Sequence, residues 1–204
     1  MIISDTHALH EQFTPLQGNV LIHCGDMFDL FDEQACTLQA LDSWFARQAF
    51  DVILCTGGNH DFPVETALAR GEQPFRHAVY LQDASYIHAG ICFWGAPWVP
   101  FLDGHAFYAD ETALSEKWAR IPSRTDVLIT HTPPSGIIDV ASCGSAFGCE
   151  ALHRAVQRVR PALHCFGHVH ESRGELRRHG TRFVNASSVQ GSCERVLAPI
   201  VIDL

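Results

Sequence analysis

Short apolar runs that break off at His or Asp recur along this chain. Met1-Ile2-Ile3 runs into Ser4-Asp5-Thr6-His7, and Val20-Leu21-Ile22 runs into His23-Cys24-Gly25-Asp26. Val52-Ile53-Leu54-Cys55 leads through Gly57 to Gly58-Asn59-His60-Asp61. Asp126-Val127-Leu128-Ile129 leads to Thr130-His131-Thr132-Pro133-Pro134, and Leu163-His164-Cys165-Phe166 to Gly167-His168-Val169-His170. Runs this short, rich in β-branched residues and bounded by Gly or Pro, read as strands. Between them the apolar spacing becomes helical. Phe31, Ala35, Leu38, Leu41, Trp44 and Phe45 predict a helix over 32–46, with Asp32 near its start. Helices are also expected over 63–69, with Pro63 in the first turn, over 110–120 ahead of Pro122, and over 150–160, stopped by Pro161. The runs at 78–81, 85–87 and 91–94 have β character and are expected to form a second, mostly antiparallel layer. Further β character lies at 181–184 and 200–202. The pattern is that of an α/β (α+β) chain: two packed sheets with helices outside, in one domain over 1–204.

Composition narrows the class. Apolar content of 47% and charged content of 18% suit a soluble globule with a real core. The formal charge of -9 argues against a general nucleic-acid or anionic-membrane surface, but not against a small anionic substrate beside bound cations. The eight cysteines form no Cys-x-x-Cys pair, and Cys55, Cys92 and Cys165 sit in apolar runs as small hydrophobes. With no leader or long apolar span, the expected home is a reducing cytoplasm.

The strand ends carry the chemistry. Ligand sites of open α/β sheets lie just outside the carboxyl ends of the strands, so five polar loops can converge on one crevice. The candidate ligands are Asp5, His7, Asp26, Asn59, His131, His168 and His170. This mix of imidazole, carboxylate and amide suits first-row metals such as Mn, Fe, Ni or Zn better than Ca or Mg. Seven ligands are too many for one ion and suit two divalent ions if a carboxylate bridges. Asp5-x-His7 and His168-x-His170 each place two ligands at i, i+2, which in a loop can straddle adjacent ions. The rigid stretch Gly95-Ala96-Pro97-Trp98-Val99-Pro100, followed by Phe101, Phe107 and Tyr108, is either a loop packed on its own aromatics or an apolar wall beside a substrate.

In this order, Asp5-x-His7, Gly25-Asp26-x-x-Asp29, Gly58-Asn59-His60-Asp61, His131 and Gly167-His168-x-His170 resemble the calcineurin-like metallophosphoesterases. Gly95-Ala96-Pro97-Trp98, Lys117-Trp118, Asn185-Ala186-Ser187 and the closing Pro199-Ile200-Val201-Ile202-Asp203-Leu204 are similar to one branch, the metallophosphoesterase-domain proteins related to fetal-brain protein 239. The resemblance implies a four-layer αββα sandwich with a dinuclear centre. Asp5, His7, Asp26 and His170 would hold one metal. Asp26, Asn59, His131 and His168 would hold the other, with Asp26 bridging. His60 would be the catalytic histidine and general acid, and Asp61 would orient it. The implied activity is hydrolysis of a small-molecule phosphate ester by a hydroxide held between the two ions, as a phosphodiesterase on a nucleotide-type or cyclic-nucleotide substrate, with Trp98 and Thr132 as substrate contacts. Manganese is one of the metals that would serve.

Two departures from the branch stand out. Thr132 occupies a position that is usually Gly, and only three apolar residues precede Asp5, so either the start site is misplaced or the first strand is stunted. A phosphomonoesterase or protein phosphatase is a second reading. It is weakened because Leu30-Phe31 follows Asp29 where those phosphatases resemble Asp-Arg-Gly, removing a phosphate-clamping fork. A non-catalytic metal-binding scaffold is a third, and His60 counts against it.

Overall fold

The computed structural model describes residues 1–29, 32, 35–189 and 195–203. Within them the alternation of apolar residues sorts each strand's side chains between two faces. Four strands, β1 (Ile2–Ile3), β2 (Gln17–His23), β3 (Ala49–Cys55) and β4 (Val79–Tyr80), form a wholly parallel sheet in the order β1-β2-β3-β4. Leu21, Ile53 and Ile3 point outward, into a core with Leu41, Trp44, Phe45 and Val64 of helices α1 (Leu38–Ala46) and α2 (Phe62–Ala69). Ile2, Ile22, Val52 and Leu54 point inward, against the second sheet.

That second sheet has six strands in the order β5-β6-β7-β8-β10-β9. They are β5 (Ala84–His88), β6 (Ile91–Ala96), β7 (Val127–Thr130), β8 (Leu163–Phe166), β9 (Gly174–Arg178) and β10 (Thr181–Asn185). Phe93, Ile129, Cys165 and Val184 face the first sheet. Trp94, Leu128, Phe166 and Phe183 face helices α3 (Glu111–Ala119) and α4 (Glu150–Val159). The result is an αββα sandwich with one core between the sheets and one under each helix layer.

Several expectations need correction. The second layer is not mostly antiparallel: β6, β7, β8 and β10 run parallel, and only the flanking strands β5 and β9 are reversed. Long α-helical crossovers, α3 and α4, join the central strands, and parallel pairing requires such connections. The run at 78–81 supplies β4, which belongs to the first sheet. Strand β9 falls in a polar segment, Gly-Glu-Leu-Arg-Arg, at an exposed edge and has no apolar alternation to announce it. Helix α1 begins at Leu38, because Thr37 caps it by accepting the Ala40 N–H at 3.1 Å. Asp32 precedes that helix, and Phe31 lies outside the described residues, as does Leu204 at the end of the closing segment.

The first strand spans two residues, Ile2–Ile3, and is held on both sides. β2 pairs with it in parallel, and Ile2 exchanges both backbone bonds with Ile200 at 2.8 and 3.0 Å. Ser4 then bridges to Ser187 beyond β10, and its carbonyl accepts the Ser188 N–H at 2.7 Å. A two-residue strand thus fixes Asp5 because the C-terminal segment completes its ladder. Among the described residues no helix is long and apolar enough to cross a membrane.

His164 sits on β8 in the layer under α4, wholly buried between Phe166 and Phe183. The Thr130 hydroxyl donates to the Thr132 carbonyl, so it accepts from His164 Nε2–H at 2.9 Å. Nδ1 has no partner. Burial pushes the His164 pKa down to about 3, and burial likewise holds His23 at about 3. An unfolded histidine titrates near 6.5, so below that pH the unfolded chain binds more protons than the native one. Stability is therefore full above pH 6.5 and falls on acidification, by up to about 1.4 kcal/mol per pH unit for each such histidine. His164→Phe should narrow the difference in unfolding free energy between pH 7 and pH 5 by about 1–2 kcal/mol, measured by urea unfolding at fixed metal content. An unchanged difference would show that His164 is not kept neutral in the fold.

Candidate metal centre

All five polar loops leave the carboxyl ends of their strands at the same end of the sandwich. β1 delivers Asp5 and His7, β2 Asp26, β3 Asn59 and His60, β7 His131, and β8 His168 and His170. Four of the seven candidate ligands, Asp5, His7, Asp26 and His168, have positive φ of 53°, 41°, 53° and 70°. Such a backbone costs an L residue about 1–3 kcal/mol and persists only where the surroundings enforce it. Here the surroundings are close. A Cβ on Gly58 would collide with the Asp26 carboxylate, and one on Gly167 with Ser4 and the Asp5 carboxylate. Both carboxylates lie against bare backbone.

The donor atoms crowd together. His131 donates from Nδ1 to the Cys24 carbonyl at 2.9 Å, which leaves Nε2 to take either a proton or a cation. That nitrogen lies 3.0 Å from Asn59 Oδ1, 3.2 Å from His168 Nδ1 and 3.3 Å from Asp26 Oδ2. On the other side, His7 Nδ1 faces the Phe28 carbonyl at 3.3 Å, and its Nε2 lies 3.2 Å from His170 Nε2. His170 Nε2 is in turn 3.4 Å from Asp5 Oδ1. Lone pairs repel at these distances unless a proton or a cation lies between them. With metal–nitrogen bonds of 2.0–2.1 Å, neighbouring ligand atoms of an octahedral or tetrahedral ion stand about 2.9–3.4 Å apart. The observed separations match, so both donor groups, Asp5–His7–His170 and Asp26–His131–His168, fit a divalent cation. The carbonyl acceptors behind His131 and His7 fix the tautomers that such binding needs.

Protons partly fill this role in the metal-free electrostatics. Burial alone would depress His131, but the charge and hydrogen bond of Asp26 raise its pKa to about 9. His168 goes the other way, to about 3, through burial and the positive charge of His131. Burial would raise both carboxylates. His170 outweighs it at Asp5, and His131 outweighs it at Asp26, so each is held well below the usual range. A cation at the Asp26 group must displace the His131 proton, so its binding weakens in acid.

His60 stands slightly apart. Its Nε2 is 3.8 Å from Asp26 Oδ2, its ring meets His7 edge-on at 4.6 Å, and its backbone N–H donates to Asp26 Oδ1 at 2.9 Å. With His7 and Asp26 it makes a third group within coordinating reach. Burial lowers its pKa, opposed by Asp26.

Asp61 does not orient His60. Its carboxylate accepts four backbone N–H bonds, from Gly58 at 2.8 Å, Met27 at 2.7 Å, Asp26 at 3.0 Å and Phe28 at 3.1 Å, and His60 Nδ1 has no partner. Asp61 is the clamp that ties the Asp26 loop to the Asn59 loop. Burial and the charge of Asp26 push its pKa up to about 7 against the pull of those donors.

The two expected substrate contacts are placed elsewhere. Trp98 donates its indole N–H to Asp83 at 2.8 Å, meets Phe107 edge-on and carries the Lys117 ammonium 3.2 Å from its ring centre. These partners turn it into packing, and it lines neither cleft at the centre. Thr132 is fully buried, with no partner for its hydroxyl, and also lines neither cleft. The apolar wall over the metal groups is instead made by Leu102 and Phe147, in a cleft of about 290 Å³ that includes Asp26, His60 and His168. A second cleft of about 600 Å³ is also lined by His60, together with Phe28, Phe62 and Arg70, and by none of the candidate ligands. Nothing in the local pattern marks Leu102 or Phe147, since both sit in polar or Gly-rich loops.

The chain is 33% identical over 228 residues to human metallophosphoesterase domain-containing protein 1, covering 99% of this chain and 69% of that protein, and equally to its mouse counterpart. One crystal structure superposes with a TM-score of 0.66 at 14% identity, covering 90% of this chain and 88% of its own. The structure titled "GAP50 the anchor in the inner membrane complex of Plasmodium" superposes with a TM-score of 0.52 at 10% identity, over 97% of this chain and 75% of that one. At those identities the likeness is one of fold. The family model for calcineurin-like phosphoesterases matches residues 1–172, a span that holds every candidate ligand, and the chain belongs to that family.

Proposed function

We propose that this phosphoesterase is a phosphodiesterase with a dinuclear centre, whose substrate lies across His60. The observation that carries the reading is the pair of clefts. Both are lined by His60, one opening over the metal groups and the other away from them. A diester has two organic arms, and the two clefts offer one place to each. The retained arm rests on Leu102 and Phe147. The leaving arm enters between Phe28 and Phe62, and His60 faces the bond that breaks.

Asp5, His7, Asp26 and His170 would hold one cation, and Asp26, Asn59, His131 and His168 would hold the other. Two divalent ions there, with manganese as one candidate, supply Lewis acidity for the phosphate oxygens and a water acidic enough to attack at neutral pH. The chain's own residues do the rest. Asp61 holds Asp26 and Asn59 in register through the backbone. His60, beside Asn59, gives the departing alkoxide its proton as general acid. Nucleotide-type diesters suit clefts with an aromatic on either side of the reacting bond; a cyclic nucleotide, whose two ester oxygens share one ribose, would seat its single nucleoside in one of the two clefts. A monoester leaves one cleft empty. The seven described cysteines are free thiols, which supports a reducing compartment such as the cytoplasm.

Turnover of bis-p-nitrophenyl phosphate, p-nitrophenyl phosphate and 2′,3′- and 3′,5′-cyclic nucleotides with added Mn²⁺ tests the substrate class. Diesters should show the higher kcat/KM, and preference for the monoester would overturn the diester reading. The ligand roles are tested by elemental analysis. Asp26→Ala should lose most of both ions, while His7→Ala should mainly empty one site; equal losses would contradict a bridging Asp26. For His60, the leaving group decides. His60→Gln should lose on the order of 10²–10⁴ in kcat for a cyclic nucleotide and much less for a nitrophenyl diester, whose anion needs no proton. Metal content should stay near wild type. Equal losses on both substrates, or loss of an ion, would remove His60 from the general-acid role.

A further inference from the structure

On the outer face of the second sheet, between α4 and the β9–β10 hairpin, lies a cleft of about 540 Å³ that shares no lining residue with the clefts at His60. Its size is that of a small-molecule site. Its floor is apolar, with Val156 of α4 and Phe183 of β10. Its rim carries Arg160, Arg178, His153 and His179, and no Asp or Glu lines it. In a chain of formal charge -9, this is a local reversal of sign. Among the described residues neither guanidinium is paired with a carboxylate; the Arg160 guanidinium donates only to the Gln157 carbonyl, from Nε at 3.3 Å.

Two rim residues occupy backbone positions that favour other residue types. Arg160 caps α4 in the left-handed region, at φ 53° and ψ 55°, directly before Pro161. Glycine is the usual residue there, and a following proline restricts the position further. His179 has φ 52° and precedes Gly180 at φ 88° in the hairpin turn, where Asn or Asp is the usual first residue. Both exceptions place a basic side chain on the same rim. The corner is also fixed in place. Thr181, the cross-strand partner of Arg178, donates its hydroxyl to the Pro161 carbonyl at 2.7 Å, which ties the hairpin to the end of α4 beside Arg160.

We infer that this cleft binds a small organic anion: a carboxylate, sulfonate or phosphate head carried on an apolar ring or short chain. The body lies on Val156 and Phe183, and the head meets the guanidinium forks, whose planar donors match such oxyanions. The site is independent of the metal centre, so it stands whether or not the catalytic reading does.

Calorimetric titration of the intact, metal-loaded protein with naphthalene-2-sulfonate, in phosphate-free buffer, tests it. The expected result is 1:1 saturable binding with a Kd of about 0.1–1 mM, as befits a ligand of this size. The neutral naphthalene-2-methanol should bind at least about tenfold more weakly, and Arg178→Ala and Arg160→Gly should each weaken the sulfonate about tenfold or more. Arg160→Gly also relieves the left-handed strain, so its thermal midpoint should match or exceed wild type, which excludes misfolding as the cause. Absence of saturable binding, equal affinity for the alcohol, or undiminished binding in both variants would overturn the inference.

Discussion

Crowding of unshared electron pairs is the constraint on which this structure depends. Two buried carboxylates, an amide oxygen and four imidazoles are brought to one end of the sandwich, with donor atoms 3.0–3.4 Å apart. Asp5 is fully buried and Asp26 nearly so. An uncompensated buried carboxylate costs several kcal/mol, and two near one another cost more. Positive charge has to enter the cluster. A proton on His131, whose pKa is raised to about 9, meets part of that need, Asp5 raises the pKa of His170 as well, and the donor spacing would suit divalent cations.

The surrounding fold is shaped to keep this unfavourable cluster assembled. Asp61 binds four backbone N–H groups of the two central loops, so the loops cannot separate without abandoning a buried carboxylate. Asp5 is held by the His168 N–H at 3.0 Å and by the Ser187 hydroxyl at 2.7 Å, which joins the first strand to the segment beyond β10. The left-handed backbone at Asp5, His7, Asp26 and His168 is the local cost of aiming side chains from short loops. Tight parallel strands on both sides, with Cys24, Ile129 and Cys165 packed between the sheets, leave those loops little room to relax.

Much of this was legible in the residue pattern, for identifiable reasons. The candidate ligands stand out because each polar motif interrupts an apolar run, and a strand end in an α/β sheet is where ligands gather. The helix positions follow from periodicity, with only the start of α1 displaced by its Thr37 cap. What the pattern hid depends on distant pairing. Strand direction in the second sheet is decided by crossovers, and β9 exists because β10 offers it an edge. Asp61 reads as a partner for its neighbour His60, yet its carboxylate points at backbone 33 to 35 residues away. Trp98 reads as a stacking platform until Asp83 and Lys117 are seen to occupy it.

The central claim is that the crowded donors form two cation sites joined by Asp26. Calorimetric titration of Mn²⁺ into chelator-treated protein tests it most directly, with proton release followed in buffers of different ionisation enthalpy. The account predicts two ions per chain, with protons released as the ions displace them. A stoichiometry of one or none, with the fold intact by circular dichroism, would contradict it.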